Sequence, residues 1–350
     1  MFQTRFGLRR RPFRPIPDTD AYFPAATHEA AIHLLQRAIV NDESLILLTG
    51  EPGTGKTLVA RKLLESFDDD VRTVLLTNSH VNRNCDLLQA ILFDLGLPYQ
   101  GLTEQVARLA VTDSCLEFYR QGGKTLIVVD EAHHLHPDVL EELRLLSNLE
   151  GKNGKAIQVL LVGLPEIERA IEMPSLAAFR QRLTVRAKLD PLQAEETVEF
   201  LCHQVNSAGG DPEAFFGEDV LDIITAAAGC NPRILNRVAN LAMILAEEGE
   251  QDCVDAEAAV EAVTQLGLDP VKETEESVED EPVLHQVLPR TLHHVVKPEP
   301  AVNEPPQKTI PFTPVILPID NGPLTYVYGD ELMDQNSAAR SQRGPTDQVG

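Results

Sequence analysis

Gly50-Glu51-Pro52-Gly53-Thr54-Gly55-Lys56-Thr57 fits the phosphate-cradle pattern G-x-x-x-x-G-K-[ST] at every fixed position. Before it runs Leu45-Ile46-Leu47-Leu48, a short apolar stretch of strand type. After it runs Leu58-Val59-Ala60-Arg61-Lys62-Leu63-Leu64, rich in helix formers and free of breakers. Strand, glycine loop, helix is the order that gives such a loop its chemistry. Glycines let the backbone turn tightly, so that successive N–H groups face anionic oxygens, and the helix start adds the positive end of its dipole. The pattern predicts a binding loop made of Gly50, Glu51, Pro52, Gly53, Thr54, Gly55, Lys56, Thr57 and Leu58. Lys56 would reach the β- and γ-phosphates of a nucleotide, and the Thr57 hydroxyl would ligate Mg²⁺.

Outward from the loop, strand-like and helix-like stretches alternate. Thr27 to Ala38 reads as a helix, with Thr27 as N-cap and Ala31, Leu34, Leu35 and Ala38 on its apolar face. Val71–Leu76 reads as a second strand, followed by helices near 84–95 and 103–120. Thr125–Val129 is a third strand, and Pro137 opens a helix to about Leu149. A Gly/Lys/Asn turn at 151–155 leads to a fourth strand, Ile157–Val162, and a short fifth lies near Leu183–Lys188. Continuous apolar strands separated by helices predict an α/β fold with a parallel sheet covered on both faces. After Pro191 four helical stretches follow with no strand between them: 194–208, 218–228, 232–247 and 256–265. The expected organisation is an extended arm (1–24), a nucleotide-binding domain (25–190), a small all-helical domain (191–267) and an acidic, Pro-rich tail (268–350). That tail buries too little apolar area to offset its ordering entropy and is expected to be disordered.

Composition narrows the function classes. With 350 residues there is room for a sizeable core. No run of eighteen apolar residues occurs, so no membrane span is expected, and the Arg- and Pro-rich start lacks the apolar core of a secretory signal. Five scattered cysteines without C-x-x-C suit reduced thiols in the cytoplasm. A net charge of −24 argues against whole-surface affinity for nucleic acid or anionic lipid. The arm sets Arg5, Arg9, Arg10, Arg11 and Arg14 among Phe6, Phe13 and three prolines. It admits two readings, a local nucleic-acid patch or an arm whose phenylalanines dock while its arginines face water.

Thr125-Leu126-Ile127-Val128-Val129-Asp130-Glu131 is the natural second half of the site: an apolar strand delivering two carboxylates at the end where open parallel sheets bind ligands. Asp130 would hold Mg²⁺, and Glu131, directed to the other side by strand alternation, would act as general base on the attacking water. Together the two motifs point to nucleoside triphosphate hydrolysis. His133, His134 and His136 follow at once; their spacing lacks further metal ligands, and His133 is expected near the γ-phosphate instead. Phosphoryl transfer draws on arginine, and Arg180 and Arg182, just before the fifth strand, could be presented to a neighbouring subunit. Arg233 opens a helix of the second domain and could reach back to the phosphates, coupling that domain to nucleotide state.

These residues resemble the AAA+ ATPases, and within them the ExeA-type branch. The resemblance rests on the arm (Phe6-Gly7-Leu8, Pro12-Phe13, Pro17-Asp18), on Asp130-Glu131-Ala132-His133, on the run Glu141–Glu150, on Val162-Gly163-Leu164-Pro165-Glu166, on Arg180-Gln181-Arg182-Leu183-Thr184 and on Pro232-Arg233. It implies a P-loop NTPase (AAA+) sheet with a helical lid, ATP and Mg²⁺ as ligands, and a homo-oligomer. Arg182 would be the arginine finger, with Arg180 as the alternative, and Arg233 the lid sensor. One departure is Leu164, where the family usually has a polar residue; another is that ExeA-type proteins often continue into a membrane span and a cell-wall-binding domain. The resemblance thus implies a cytoplasmic ATPase, peripheral to the inner membrane only through a partner, remodelling a protein partner in secretion or pilus-type appendage assembly. Two alternatives stay open: a DNA-associated ATPase of the transposition-regulator type, and a slow ATP-binding switch.

Overall fold

The computed structural model describes residues 5–77, 81–152 and 154–268; the tail expected to be disordered lies outside them from residue 269 on, as do the first four residues of the arm. Five parallel strands form the sheet: β1 (Leu45–Gly50), β2 (Val71–Leu76), β3 (Lys124–Val129), β4 (Ile157–Gly163) and β5 (Leu183–Leu189), in the order β2-β3-β4-β1-β5. Strands β1 and β4 are buried along their whole length, as a sheet covered on both faces requires. At the edge, β5 alternates buried and exposed residues, because only one of its faces is covered.

Side-chain alternation divides the strands between two cores. Ile46, Leu48, Val128, Leu160 and Val162 pack against α1 (Ala26–Val40) and α2 (Lys56–Leu64) through Leu35, Ile39, Val59 and Leu63. On the other face Leu45, Leu47, Ile127, Val159 and Leu161 meet α3 (Asn84–Asp94), α4 (Glu104–Arg120) and α5 (Pro137–Leu146). Two short helices, α6 (Glu166–Ile171) and α7 (Ala177–Arg182), complete that layer. Neither is marked in the sequence by a full amphipathic period, being six residues each.

A third core belongs to the helical bundle, α8 (Ala194–Ser207), α9 (Pro212–Phe215), α10 (Val220–Ala228), α11 (Pro232–Glu248) and α12 (Ala256–Gln265). Its only strand-like pairing is the single bridge Phe216–Val254. Phe6, Leu8 and Phe13 of the arm are buried in this core, Phe6 edge-on to Phe215 at 5.3 Å. The arm's arginines are engaged with the bundle or with Asp18: Arg10 Nε donates to the Ser207 carbonyl (3.0 Å), and Arg10 and Arg14 share Asp18 Oδ2 (3.1 Å each).

Two details of α1 differ from expectation. The N-cap is Ala25, not Thr27, and it makes no side-chain cap; the Ala26 N–H instead donates to Glu196 Oε1 of α8 (2.7 Å). Leu34 is exposed, while His28 takes a place on the buried face. The His28 imidazole Nε2 lies 2.8 Å from the Thr54 carbonyl, and an added Cβ at Gly55 would stand 2.9 Å from it. Nε2 therefore carries the proton and donates. Burial pushes the His28 pKa down, against the opposing pull of that bond and of Glu196 and Glu29.

Glu142, in the run 141–150, is 1% exposed and takes a bidentate pair from Arg108 of α4 (2.7 and 2.8 Å). The pair joins two helices across the buried layer. Glu142→Ala leaves Arg108, a third exposed, with the exposed Glu104 alone, and is expected to cost about 2 kcal/mol in urea unfolding. Glu104→Ala is expected to cost under about 1 kcal/mol. A depressed folded pKa makes the His28 contribution fully present above its unfolded value of about 6.5 and lost as pH falls towards the folded value. The fall in melting temperature between pH 7 and 5 should accordingly be smaller in His28→Gln than in the wild type.

Candidate functional site

The glycine loop, the Asp130–Glu131 pair and His133 lie at the carboxyl ends of the sheet strands, and Asn231 and Arg233 at the start of α11. The loop after β1 turns at Gly53 (φ +87°) and Gly55 (φ +98°). A Cβ at Gly53 would come within 2.5 Å of Asn231 Oδ1, so only glycine lets the bundle approach this closely. Thr54 is fully buried and its hydroxyl donates to the Glu51 carbonyl (2.9 Å), closing the turn. Lys56 Nζ donates to the Gly50 and Glu51 carbonyls (2.8 and 2.9 Å). Burial pushes the Lys56 pKa down; Glu131 and Asp130 pull it up, and Arg233 pushes it further down.

The two motifs meet directly. Thr57 Oγ1 donates to Asp130 Oδ2 at 2.7 Å across 73 positions of chain. Asp130 is buried, its N–H bound to the Leu76 carbonyl of β2 and its Oδ1 accepting the Glu131 N–H (both 2.9 Å). The carboxylates do not diverge by strand alternation, as the sequence reading has it, because β3 ends at Val129. Glu131 itself sits in the left-handed region (φ +52°, ψ +36°). A non-glycine residue held there marks a position the surrounding structure over-determines.

His133 stands beside Glu131, Nδ1 to Oε2 3.5 Å, and its Nδ1 accepts the Leu164 N–H (3.4 Å). Burial, then His134, pushes its pKa down. Leu164 brings no polar side chain to the end of β4, but its backbone brings His133 there. His136 instead caps α5, its ring accepting the Asp138 N–H.

From the other side α11 closes on the loop. Asn231 caps the helix with Oδ1 and donates Nδ2 to the Pro52 carbonyl (2.8 Å); the Arg233 N–H donates to the Gly53 carbonyl (3.3 Å). Between loop, arm and bundle lies a cavity of about 420 Å³, bordered by Lys56, Thr57, Glu131 and Arg233 at one end and by Phe13, Phe23, Leu192 and Phe200. Buried lysine, nearby arginine, turned glycines and a Thr–Asp pair fit a polyphosphate with a divalent cation.

Arg180 and Arg182 are not part of this cavity. Both stand at the amino end of β5, where Leu183 pairs with Leu45, whereas the loop begins at the far end, where Leu189 pairs with Gly50. At about 3.3 Å per residue that separation is roughly 20 Å along the sheet. Arg180 is held by Glu172 (2.6 Å); Arg182 is exposed. Sequence reasoning missed His28, Asn231 and Asn236, another cavity residue. His28 could have been found, because it falls on the helical period of Ala31, Ile32 and Leu35.

No helix among the described residues is long and apolar enough to cross a membrane. Residues 39–171 match the family model described as an AAA domain. Over 272 residues the chain is 32% identical to general secretion pathway protein A of Aeromonas hydrophila, covering 77% of this chain and 49% of that one. The chain therefore spans about half the length of that relative. A shorter stretch, 104 residues at 33% identity, aligns with ATP-dependent target DNA activator B of Escherichia phage Mu (30% of this chain, 31% of that one). In fold the chain resembles Cdc6p of Pyrobaculum aerophilum (TM-score 0.58, 20% identity, 71% of each chain). It is similarly close to the ORC1 protein of Aeropyrum pernix (TM-score 0.58, 21% identity, 72% and 68%). An AAA domain spanning β1 to α6, continued by an alignment that takes in most of this chain, makes it similar to the AAA+ ATPases of the general secretion pathway protein A (ExeA) type.

Proposed function

We propose that the protein binds ATP with Mg²⁺ between subunits and hydrolyses it to remodel a protein assembly in secretion or pilus-type appendage biogenesis. The observation that carries this is the Thr57–Asp130 contact, which joins the glycine loop to the carboxylate pair beside a buried lysine. In this reading residues 25–190 bind nucleotide, 191–267 act as a lid, 1–24 are its arm and the acidic tail follows. Secretion is taken from the relative's name; a cytoplasmic location, peripheral to the inner membrane through a partner, is part of the same proposal.

Lys56 exchanges its two carbonyl partners for β- and γ-phosphate oxygens. Thr57 and Asp130 would hold Mg²⁺, which would offset charge developing on the phosphates. Glu131 accepts the proton of the attacking water, held in place by its left-handed backbone, with His133 beside it. Asp130 stays buried and keeps the Glu131 N–H. Arg233 senses the phosphates from the lid, and Asn231 ties that lid to the loop. Arg182, exposed at the opposite end of the sheet, serves a neighbouring subunit's site; Arg180 is the alternative but is already engaged by Glu172. A DNA-associated reading draws no support from the arm, where Arg10 and Arg14 are bound to Asp18 and Arg11 donates to Asn240.

Two measurements test the mechanism. Glu131→Gln should lower turnover by about 10²-fold or more while nucleotide still binds; if wild-type turnover is already negligible and the substitution changes nothing, the slow-switch reading replaces this one. Specific activity should rise with protein concentration, and Arg182→Ala should lose about 10³-fold. Mixing Lys56→Ala with Arg182→Ala subunits should then restore part of the activity. Activity that is flat with concentration and untouched by Arg182→Ala would mean a site complete within one chain.

A further inference from the structure

The peptide between Thr54 and Gly55 has two orientations open to it, and the loop itself does not choose between them. Gly55 sits at φ +98°; turning the preceding peptide over would carry it to negative φ, which glycine populates as readily. The choice comes from α1. His28 is 4% exposed, borders the cavity and directs its Nε2–H at the Thr54 carbonyl from 2.8 Å. Its Nδ1 lies 3.3 Å from Thr27 Oγ1, whose hydroxyl donates to it, so both ring nitrogens are engaged and the ring is held on two sides. A trans peptide is planar, and its C=O and N–H point opposite ways. With the Thr54 carbonyl turned to His28, the Gly55 N–H is turned away from that ring. This N–H has no hydrogen-bond acceptor among the described residues, and Gly55 borders the same cavity as Lys56 and Thr57. A backbone donor left open beside a cavity is a donor for a ligand.

We propose that His28 is the positioning residue for phosphate binding: by holding the Thr54 carbonyl it keeps the Gly55 N–H aimed at the β-phosphate of a nucleotide. The proposal rests on the nucleotide-site reading above and adds to it a residue outside the glycine pattern that sets the loop's affinity. His28 acts through the peptide, not on the ligand. Without its donor the Thr54 carbonyl loses its partner in a buried place, and the peptide gains a reason to turn over. Turned over, it would set a carbonyl oxygen against an anionic phosphate and take the N–H away. The ligand group that feels the change is the β-phosphate, which ADP carries and AMP lacks.

The test uses the full chain with ADP and AMP, so that turnover does not enter. Affinities are measured by calorimetry for the wild type, His28→Leu and His28→Gln. The wild type should bind ADP more tightly than AMP. His28→Leu, which fills the site without a donor, should lower the ADP-to-AMP affinity ratio about tenfold by weakening ADP, with AMP little changed. His28→Gln, whose amide N–H can replace the imidazole donor, should recover most of the ratio. A folded His28→Leu with an unchanged ratio overturns the assignment and leaves the nucleotide site intact. Equal weakening of both ligands means a general loosening of the loop and overturns it too. If His28→Leu does not fold, NMR of the wild type decides. The Gly55 amide resonance should move when ADP is added and not when AMP is, and an amide that ignores ADP overturns the assignment. If ADP does not bind the wild type at all, the nucleotide site itself fails, and this inference with it.

Discussion

Three carbonyls of the glycine loop accept hydrogen bonds from outside it: Thr54 from His28, Pro52 from Asn231 and Gly53 from the Arg233 N–H. A loop that must aim its own N–H groups at a ligand has to turn its carbonyls away, and those carbonyls then need donors. One donor comes from the helix before the sheet and two from the bundle after it. The active conformation of eight residues is therefore set by segments some two hundred positions apart. Because the bundle's contribution ends in Arg233, whatever moves α11 also moves the loop, and the reverse holds by the same bonds.

The fold was legible because its strongest determinants are local. Apolar strands of β1, β3 and β4 are continuous because both faces are covered, and the glycine pattern needs only eight consecutive residues. The Asp130–Glu131 pair was legible for the same reason. What the chain does not announce locally is how side chains from separate elements converge. His28 reads as one polar residue in a helix until the loop is placed against it. Asn231 caps α11 with its Oδ1, while its other amide atom holds the loop. The left-handed turn at Glu131 has no residue signature, since glycine would be the ordinary choice there, and α6 and α7 are too short to show a period. With Leu164 at the end of β4, the sequence leaves a polar sensor there in doubt or assigned to another side chain. The His133 imidazole, from the loop after β3, stands there, bound by the Leu164 N–H, a backbone donor that any residue but proline would supply.

The sheet's polarity separates two kinds of cation. Lys56 and Arg233 gather at the carboxyl ends of the strands, where their charges raise the potential seen by a polyanion, and where burial first, then Arg233, depresses the lysine. Arg180 and Arg182 stand at the opposite ends. A rigid parallel sheet cannot bring the second pair to the first within one chain. In the function proposed here, that geometry is why Arg182 is given to a neighbouring copy rather than to its own site.

The arm's place in the bundle core also governs how the chain can be made. Phe6, Leu8 and Phe13 are synthesised before the sheet, yet their partners Phe215 and Phe216 and the Ser207 carbonyl lie beyond it, Arg10 and Ser207 being 197 positions apart. At roughly 5–20 residues per second those side chains wait some tens of seconds for the surface that covers them. The sheet can complete its strands in that interval, but the bundle cannot close before its last helices emerge and the arm returns. Closing so long a loop is costly in chain entropy and slow. The nascent protein is thus a finished sheet carrying an exposed aromatic tether, a species open to capture by a holdase or by the arm of a neighbouring chain.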